Sequence, residues 1–224
     1  MSDPADIAAI VLAAGSSQRF GANKLLHPFT QRGVTLPLAA HSLVPWLEAC
    51  ACTTVVVRPG SEAFCHAIAM ALGVSKSPAL RWLVCQDSLQ GMGSSLACGV
   101  RANSKAAGWM IGLADMPAVP VAAIEGVRNA LLDGADLSAA ACAGRRGHPV
   151  GFARHYFDEL QALRGDTGAR RLIERDMPRL VPVEIEQQGI FADVDVPDDL
   201  LSLTRSPQQA AQQSAASILA ISLF

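Results

Sequence analysis

The chain has 224 residues, half of them hydrophobic, with 18 glycines and 13 prolines, the profile of one globular domain able to bury a large core. A formal charge of -2, from 18 basic and 20 acidic residues, excludes the broad positive field behind non-specific nucleic-acid binding, so any anionic partner has to be met locally. The N-terminal Met-Ser-Asp-Pro-Ala-Asp lacks the basic and apolar runs of a secretory signal and no apolar stretch reaches bilayer length; the expectation is a cytoplasmic protein with no nucleic-acid and no membrane partner.

In chain order, Ile7 to Ala13 reads as a buried parallel strand feeding a Gly-Ser-Ser loop. Leu36 to Cys50 reads as a helix, with Pro37 in a first turn that tolerates it and Pro45 as a possible kink. Thr53 to Arg58 returns as a β-branched strand closed by Pro59 and Gly60. The alternation continues with Ser61 to Leu72 helical, Leu80 to Cys85 extended, Ser94 to Arg101 helical and Trp109 to Leu113 extended. A helix from Pro120 to Asp133 and a strand over Leu137 to Cys142 follow, after which Gly-Arg-Arg-Gly-His-Pro in Ala143 to Pro149 breaks the pattern. Alternation of this kind predicts a three-layer α/β fold around a mainly parallel central sheet. Ligands of such sheets bind beyond the carboxyl ends of the strands, where the loops after Ala13, Cys85 and Leu113 would gather. The stretch from Arg205 to Phe224 reads as a polar tail with a short apolar end, leaving 1–204 as the domain. The six cysteines include no Cys-x-x-Cys pair and are expected to be reduced, buried thiols.

The first loop, Leu12 to Lys24, combines small residues that let backbone amides approach an anion with two cations, Arg19 and Lys24. It suits a triphosphate, although it has neither Walker nor dinucleotide-fold spacing, and a plain turn with solvated cations is the simpler alternative. Asp115 follows an apolar strand and precedes Met116-Pro117, a place from which a carboxylate can hold Mg²⁺ against phosphate oxygens or merely close a turn. Asp193 and Asp195 share parity on an expected extended segment, so either could be a second metal ligand. Asp198 and Asp199, after Pro197, fit the first turn of a helix. In Gln86 to Leu96, Ser94 or Ser95 could cap a helix or meet a base or ribose.

Taken together, Leu-Ala-Ala-Gly-Ser-Ser-x-Arg-x-Gly-x-x-Lys, Gln-Gly-Met-Gly-Ser-Ser-Leu, Leu-Ala-Asp-Met-Pro, Gly-His-Pro-Val-x-Phe, Gly-Asp-x-Gly-Ala-Arg and Asp-Val-Asp-x-Pro-x-Asp, in order from about residue 7 to 203, resemble the molybdenum cofactor cytidylyltransferases. The resemblance implies a Rossmann-like nucleotidyltransferase fold and transfer of CMP from CTP to the terminal phosphate of molybdopterin, with Mg²⁺ as cofactor and a recipient molybdoenzyme as a transient partner. Carried over by residue, it implies that Leu12, Ala13, Ala14, Gly15, Ser16, Arg19 and Lys24 hold the nucleotide with Gly91 and Ser95, the last two facing base or ribose. Lys24, Arg19 and Asp115 would be catalytic, and Asp115 and Asp195 would bind the metal. Alanine at the position of Ala14 accompanies cytidine in related enzymes, whereas glycine accompanies guanosine.

Gly147, His148 and Pro149, together with Asp166 and Arg170, resemble the family's acceptor-side segments. His148 is read as an acceptor contact or a structural loop histidine rather than as a base, because an attacking phosphate is already anionic. The chain departs from the family at Val196, where threonine is usual. Rival readings are guanylyl transfer, cytidylyl transfer to another phosphorylated acceptor, and a non-catalytic cofactor carrier for molybdenum hydroxylases.

Overall fold

A computed structural model describes residues 6–15, 20, 23–74 and 77–204. A seven-stranded sheet forms its centre. In chain order its strands are β1 (Ile7–Leu12), β4 (Thr53–Val57), β5 (Leu80–Val84), β6 (Gly108–Leu113), β7 (Leu137–Cys142), β8 (Arg145–Ala153) and β9 (Leu180–Glu184). Laterally they run β5-β4-β1-β6-β8-β7-β9. All neighbouring pairs are parallel except those made by β8, which is antiparallel to both β6 and β7. A separate hairpin pairs β2 (Pro28–Gln31) with β3 (Val34–Pro37).

The sheet is covered on both faces, and the alternation of β1 divides the core. Ile7, Ala9 and Val11 join a cluster with Leu43 and Trp46 of helix α1 (Leu38–Ala49), Phe64 and Ile68 of α2 (Glu62–Ala71), and Ile124 and Val127 of α4 (Val121–Leu132). Ala8, Ile10 and Leu12 face the other way, into Leu96 and Val100 of α3 (Met92–Ala102), Leu160 of α5 (Phe157–Gln161) and Ile173 of α6 (Arg170–Arg175). A strand buried on both sides has no polar face to spare, hence its unbroken apolar sequence. This is the three-layer, mainly parallel architecture expected.

Two expectations need correction. The helix read from Leu36 begins at Leu38, because Leu36 pairs with Phe29 in the hairpin and Pro37, extended at ψ 143°, precedes the helix instead of entering it. The segment read as a break over Ala143 to Pro149 is a turn of two residues only, Ala143 and Gly144, both left-handed, followed directly by β8. Glycine and proline composition suggested a loop, and pairing with two neighbouring strands overrides it. The register of β7 against β8 shifts between Ala139 and Ala141, so Gly147 to Pro149 form a bulge, a device that re-aims side chains at the ends of sheets. His148 is thus a strand residue.

A third, smaller cluster positions the site. Val194, fully buried, packs with Phe20, Phe29, Leu38 and Leu200; Leu200 belongs to α7 (Pro197–Thr204). The amide of Val194 donates to the carbonyl of Asp115 at 3.0 Å. The chain after β9 is thereby fastened beside the loop that follows β6. Asp193 and Asp195 do not lie on a strand, as expected from their parity, but on irregular chain just before α7. All six cysteines are free, yet only Cys50 and Cys85 are buried; the other four are half-buried. No helix among the described residues is long and apolar enough to cross a membrane.

Candidate nucleotide and metal site

Beyond the carboxyl ends of β1, β4, β5 and β6 lies a cavity of about 400 Å³ lined by Leu12, Ala14, Gly15, Arg58, Ser88, Leu89, Gly91, Met92, Ser95, Leu113, Asp115 and Asp166. The three loops expected to gather do so. Ala14 and Gly15 come from the first, Ser88 to Met92 from the second and Asp115 from the third. Ala13 is buried, donating its amide to the Val56 carbonyl at 2.8 Å. Ser16 and Arg19 lie outside the described residues, as does the tail 205–224.

Gly91 is in the left-handed region at φ 109°, and a Cβ there would collide with Asp166 Oδ1 and the Gly165 carbonyl. Two residues on, Gly93 donates its amide to the Gly165 carbonyl at 2.7 Å. The two Gly-rich segments therefore close on one another without side chains between them. In consequence Asp166, expected on the acceptor side, lines the larger cavity with Ala14 and Gly91. Neither Ser94 nor Ser95 caps α3, which starts at Met92 with Gly91 before it. Both serines are buried inside the helix; Ser95 reaches the cavity wall, while the hydroxyls of Ser88 and Ser94 have no partner among the described residues.

At the rim stand Lys24, Asp115 and Asp195. The Lys24 ammonium lies 2.8 Å from Asp115 Oδ2 and 3.3 Å from Asp195 Oδ1, and donates to the Val194 carbonyl at 2.6 Å. Burial works to lower the Lys24 pKa, but the hydrogen bonds and charges of Asp115, then of Asp195, overcome it and raise it above 10.5. This lysine is charged at neutral pH. Asp115 keeps its other oxygen, Oδ1, buried and without a partner among the described residues.

Those groups fit a divalent cation. Two carboxylates meet at one point, one of them with an orphaned oxygen, and no cluster of three or more His, Cys, Asp or Glu occurs among the described residues. Mg²⁺ is commonly held in this way, by one or two carboxylates with the remaining ligands from phosphate and water. Asp199 has a different task. Its Oδ2 accepts from the amides of Asp195 at 2.7 Å and Val196 at 2.8 Å, holding the turn that presents Asp195 and capping α7 as its position suggested.

Two smaller cavities of about 210 Å³ each open on the far side of Leu113, which lines all three. One is bounded by Arg145, Arg146, Gly147, His148, Phe191 and Asp193. The other is mostly apolar, bounded by Leu96, Ile111, Val150, Phe152 and Ile173, with Arg146, His148 and Arg170 at its polar edge. His148 lines both, with Gly147 in the first and Arg170 in the second, which shares Leu12, Met92 and Leu113 with the larger cavity. Pro149 is buried and lines none of the three. Burial lowers the His148 pKa below 6.5, and its Nδ1 has no partner among the described residues. A neutral imidazole there can donate to or accept from a bound group.

Sequence reasoning passed over Arg58 and Arg146. Each is one arginine at a strand end or in a Gly-rich stretch, with no local pattern to distinguish it from a solvated one.

The fold, with a glycine-lined cavity and paired carboxylates at its mouth, defines a nucleotidyltransferase. Residues 9–181 match the MobA-like NTP transferase domain, and the chain belongs to that family. It is 32% identical over 200 residues to the purine catabolism protein PucB of Bacillus subtilis (strain 168), covering 85% of this chain and 92% of that protein. Rv0371c from Mycobacterium tuberculosis H37Rv superposes with a TM-score of 0.74 at 26% identity, over 92% of this chain and all 100% of that one. A manganese complex of Rv0371c gives 0.69 at 23% identity, over 90% and 99% of the two chains.

Proposed function

We propose that the protein transfers CMP from CTP to the terminal phosphate of molybdopterin, releasing pyrophosphate. The observation that carries this reading is the convergence of Ala14, Gly15, Lys24, Gly91, Ser95, Asp115 and Asp195, drawn from four separate motifs, around one cavity and its rim. Residues 1–204 form the catalytic domain in this reading. Ala14, on the cavity wall, favours cytidine through the resemblance described above.

Asp115 and Asp195 would hold the Mg²⁺, and the existence of a manganese complex of Rv0371c supports the use of a divalent ion. When bound, the ion supplies neutralisation of phosphate charge. Gly15 and the amides of its loop take the triphosphate, with Lys24 and Arg19 as the cations that face it. An oxygen of the acceptor phosphate attacks the α-phosphorus; one P–O bond forms as the bond to the departing pyrophosphate breaks. Lys24 offsets the charge that grows on the oxygens around that phosphorus. Positioning and electrostatics carry a reaction of this type, and no proton has to be removed from an acceptor that is already anionic.

The test is direct. Purified protein and Mg²⁺ are incubated with molybdenum-loaded molybdopterin and either CTP or GTP, and pyrophosphate is measured. Release with CTP is expected. Release with GTP alone overturns the base, and none with either leaves a cofactor carrier as the better description.

A further inference from the structure

Arg146 is the cation on the acceptor side without an obvious protein partner. It is half-buried on β8 and borders both smaller cavities. Its neighbours are otherwise engaged. The Arg145 guanidinium lies over the Phe191 ring at 4.2 Å. Glu174, the carboxylate whose charge reaches Arg146, is hydrogen-bonded to Arg170 at 2.7 Å. Among the described residues Arg146 makes no hydrogen bond and no ion pair.

A half-buried guanidinium without a protein hydrogen-bond partner leaves its fork of donors available to a bound group. Partial burial disfavours its charge and the neighbouring Arg170 adds to this, against the attraction of Glu174; an arginine nevertheless stays protonated. Two residues along the strand, His148 carries an unpartnered Nδ1 and is held neutral by burial, with the charge of Arg146 acting in the same direction. The planar fork of Arg146 matches a phosphate or a carboxylate, and the acceptor of the proposed reaction presents a phosphate.

We propose that Arg146, with His148 beside it on the wall of both smaller cavities, receives the phosphate of the acceptor. This rests on the reading of the larger cavity as the nucleotide site, and it names the chemistry of the other substrate. Leu113 stands between the two sides and is followed closely by Asp115, so the phosphate at Arg146 waits beside the centre where the nucleotide reacts. Arg146 then acts on acceptor binding and leaves nucleotide binding alone.

The experiment separates the two claims. Protein is saturated with Mg²⁺ and the α,β-methylene analogue of CTP, which cannot be transferred, and phenyl phosphate is titrated in by calorimetry. Binding to the parent protein is expected, weakened about 10- to 100-fold in Arg146→Met, the loss of a charge-assisted contact, with Arg146→Lys in between. Binding of the CTP analogue should be unchanged in both variants. Equal affinity for phenyl phosphate in all three proteins, or none in the parent, overturns the role of Arg146. Failure of the CTP analogue to bind strikes at the nucleotide reading instead. Should Arg146→Met not fold, Arg146→Lys against the parent decides the matter alone, since it keeps the charge and loses the fork.

Discussion

Lys24 and Asp115, ninety-one positions apart in the chain, meet at 2.8 Å with the Lys24 side chain 11% exposed and that of Asp115 21% exposed. Each is held from elsewhere, Lys24 by the Val194 carbonyl and Asp115 by the amide that Val194 donates to its backbone. Replacing Asp115 by Asn keeps the shape and a hydrogen-bond acceptor but removes the charge. Pyrophosphate release should fall by about 100-fold or more, while a thermal melt followed by circular dichroism moves by only a few degrees. Undiminished magnesium-dependent turnover in this variant would sink the assignment.

Because the Lys24 ammonium already sits between Asp115 and Asp195, a cation arriving without nucleotide has to compete with it. Metal binding should therefore be weak until a triphosphate draws the lysine away. Lys24→Ala removes the competitor, and Mn²⁺ titrated into the nucleotide-free variant, with free ion counted by electron paramagnetic resonance, should bind about tenfold tighter than in the parent. The same variant should lose turnover. Equal Mn²⁺ affinities would show that the lysine does not hold the metal site.

The pH dependence of stability has a definite sign at His148. Burial, with Arg146 assisting, holds its folded pKa below 6.5, and the Ile111 carbonyl and the carboxylates of Asp115 and Asp193 oppose that without reversing it. The unfolded chain therefore takes up this proton first. The contribution is complete above 6.5 and is lost as the pH falls below it. Melting temperatures from about pH 7.5 down to about pH 5 should decline more steeply for the parent than for His148→Asn, a comparison that cancels the other titrating groups. Parallel slopes would count against a neutral, buried imidazole.

Val196 offers a gain. Asp199 already reaches back to its amide at 2.8 Å, and the Asp199 amide donates to the Val196 carbonyl at 3.1 Å; valine adds no side-chain acceptor to this turn. Val196→Thr should give the Asp199 amide a second acceptor and stabilise the protein by about 0.5 kcal/mol, read as a higher melting temperature. No change would mean that the hydroxyl points elsewhere.

At Gly91 any side chain meets both strain and collision, since its φ is 109° and the space is filled by Gly165 and Asp166. Gly91→Ala should destabilise the protein by about 2 kcal/mol or more. Where enough remains folded to assay, the KM for the nucleotide should rise more than that for the acceptor. The reverse order would place Gly91 outside the nucleotide wall.

What could be read from the chain beforehand, and what could not, follows from where the information lies. The strands ending at Leu12, Val57 and Leu113 are local runs of apolar residues, and each was placed to within a residue or two of its bounds. The β2–β3 hairpin went unread: its turn at Arg32 and Gly33 is left-handed at both residues, and its four-residue strands show little alternation. The bulged strand β8 went unread because its glycine and proline read as a loop, and its pairing with β6, far back in the chain, leaves no local pattern. The same holds within the site. Lys24, Asp115 and Asp195 were named from their motifs, but that one lysine joins both carboxylates depends on the seating of Val194 in its small cluster. Arg146 needed the map of neighbours, which shows it without a protein partner among the described residues.

The single reversed strand has a further meaning. By pairing through its backbone with the last strand of the parallel half, β8 joins two pieces of chain that, in the proposed reading, answer to separate demands: the first lines most of the nucleotide cavity, and the second carries the acceptor side. Hydrogen bonds of the main chain are indifferent to side chains, so the second piece can change while the first is left intact, save where Gly165, Asp166 and Asp195 reach back to the larger cavity and its rim. The seam between β6 and β8 is where such an enzyme can change customers without forgetting its trade.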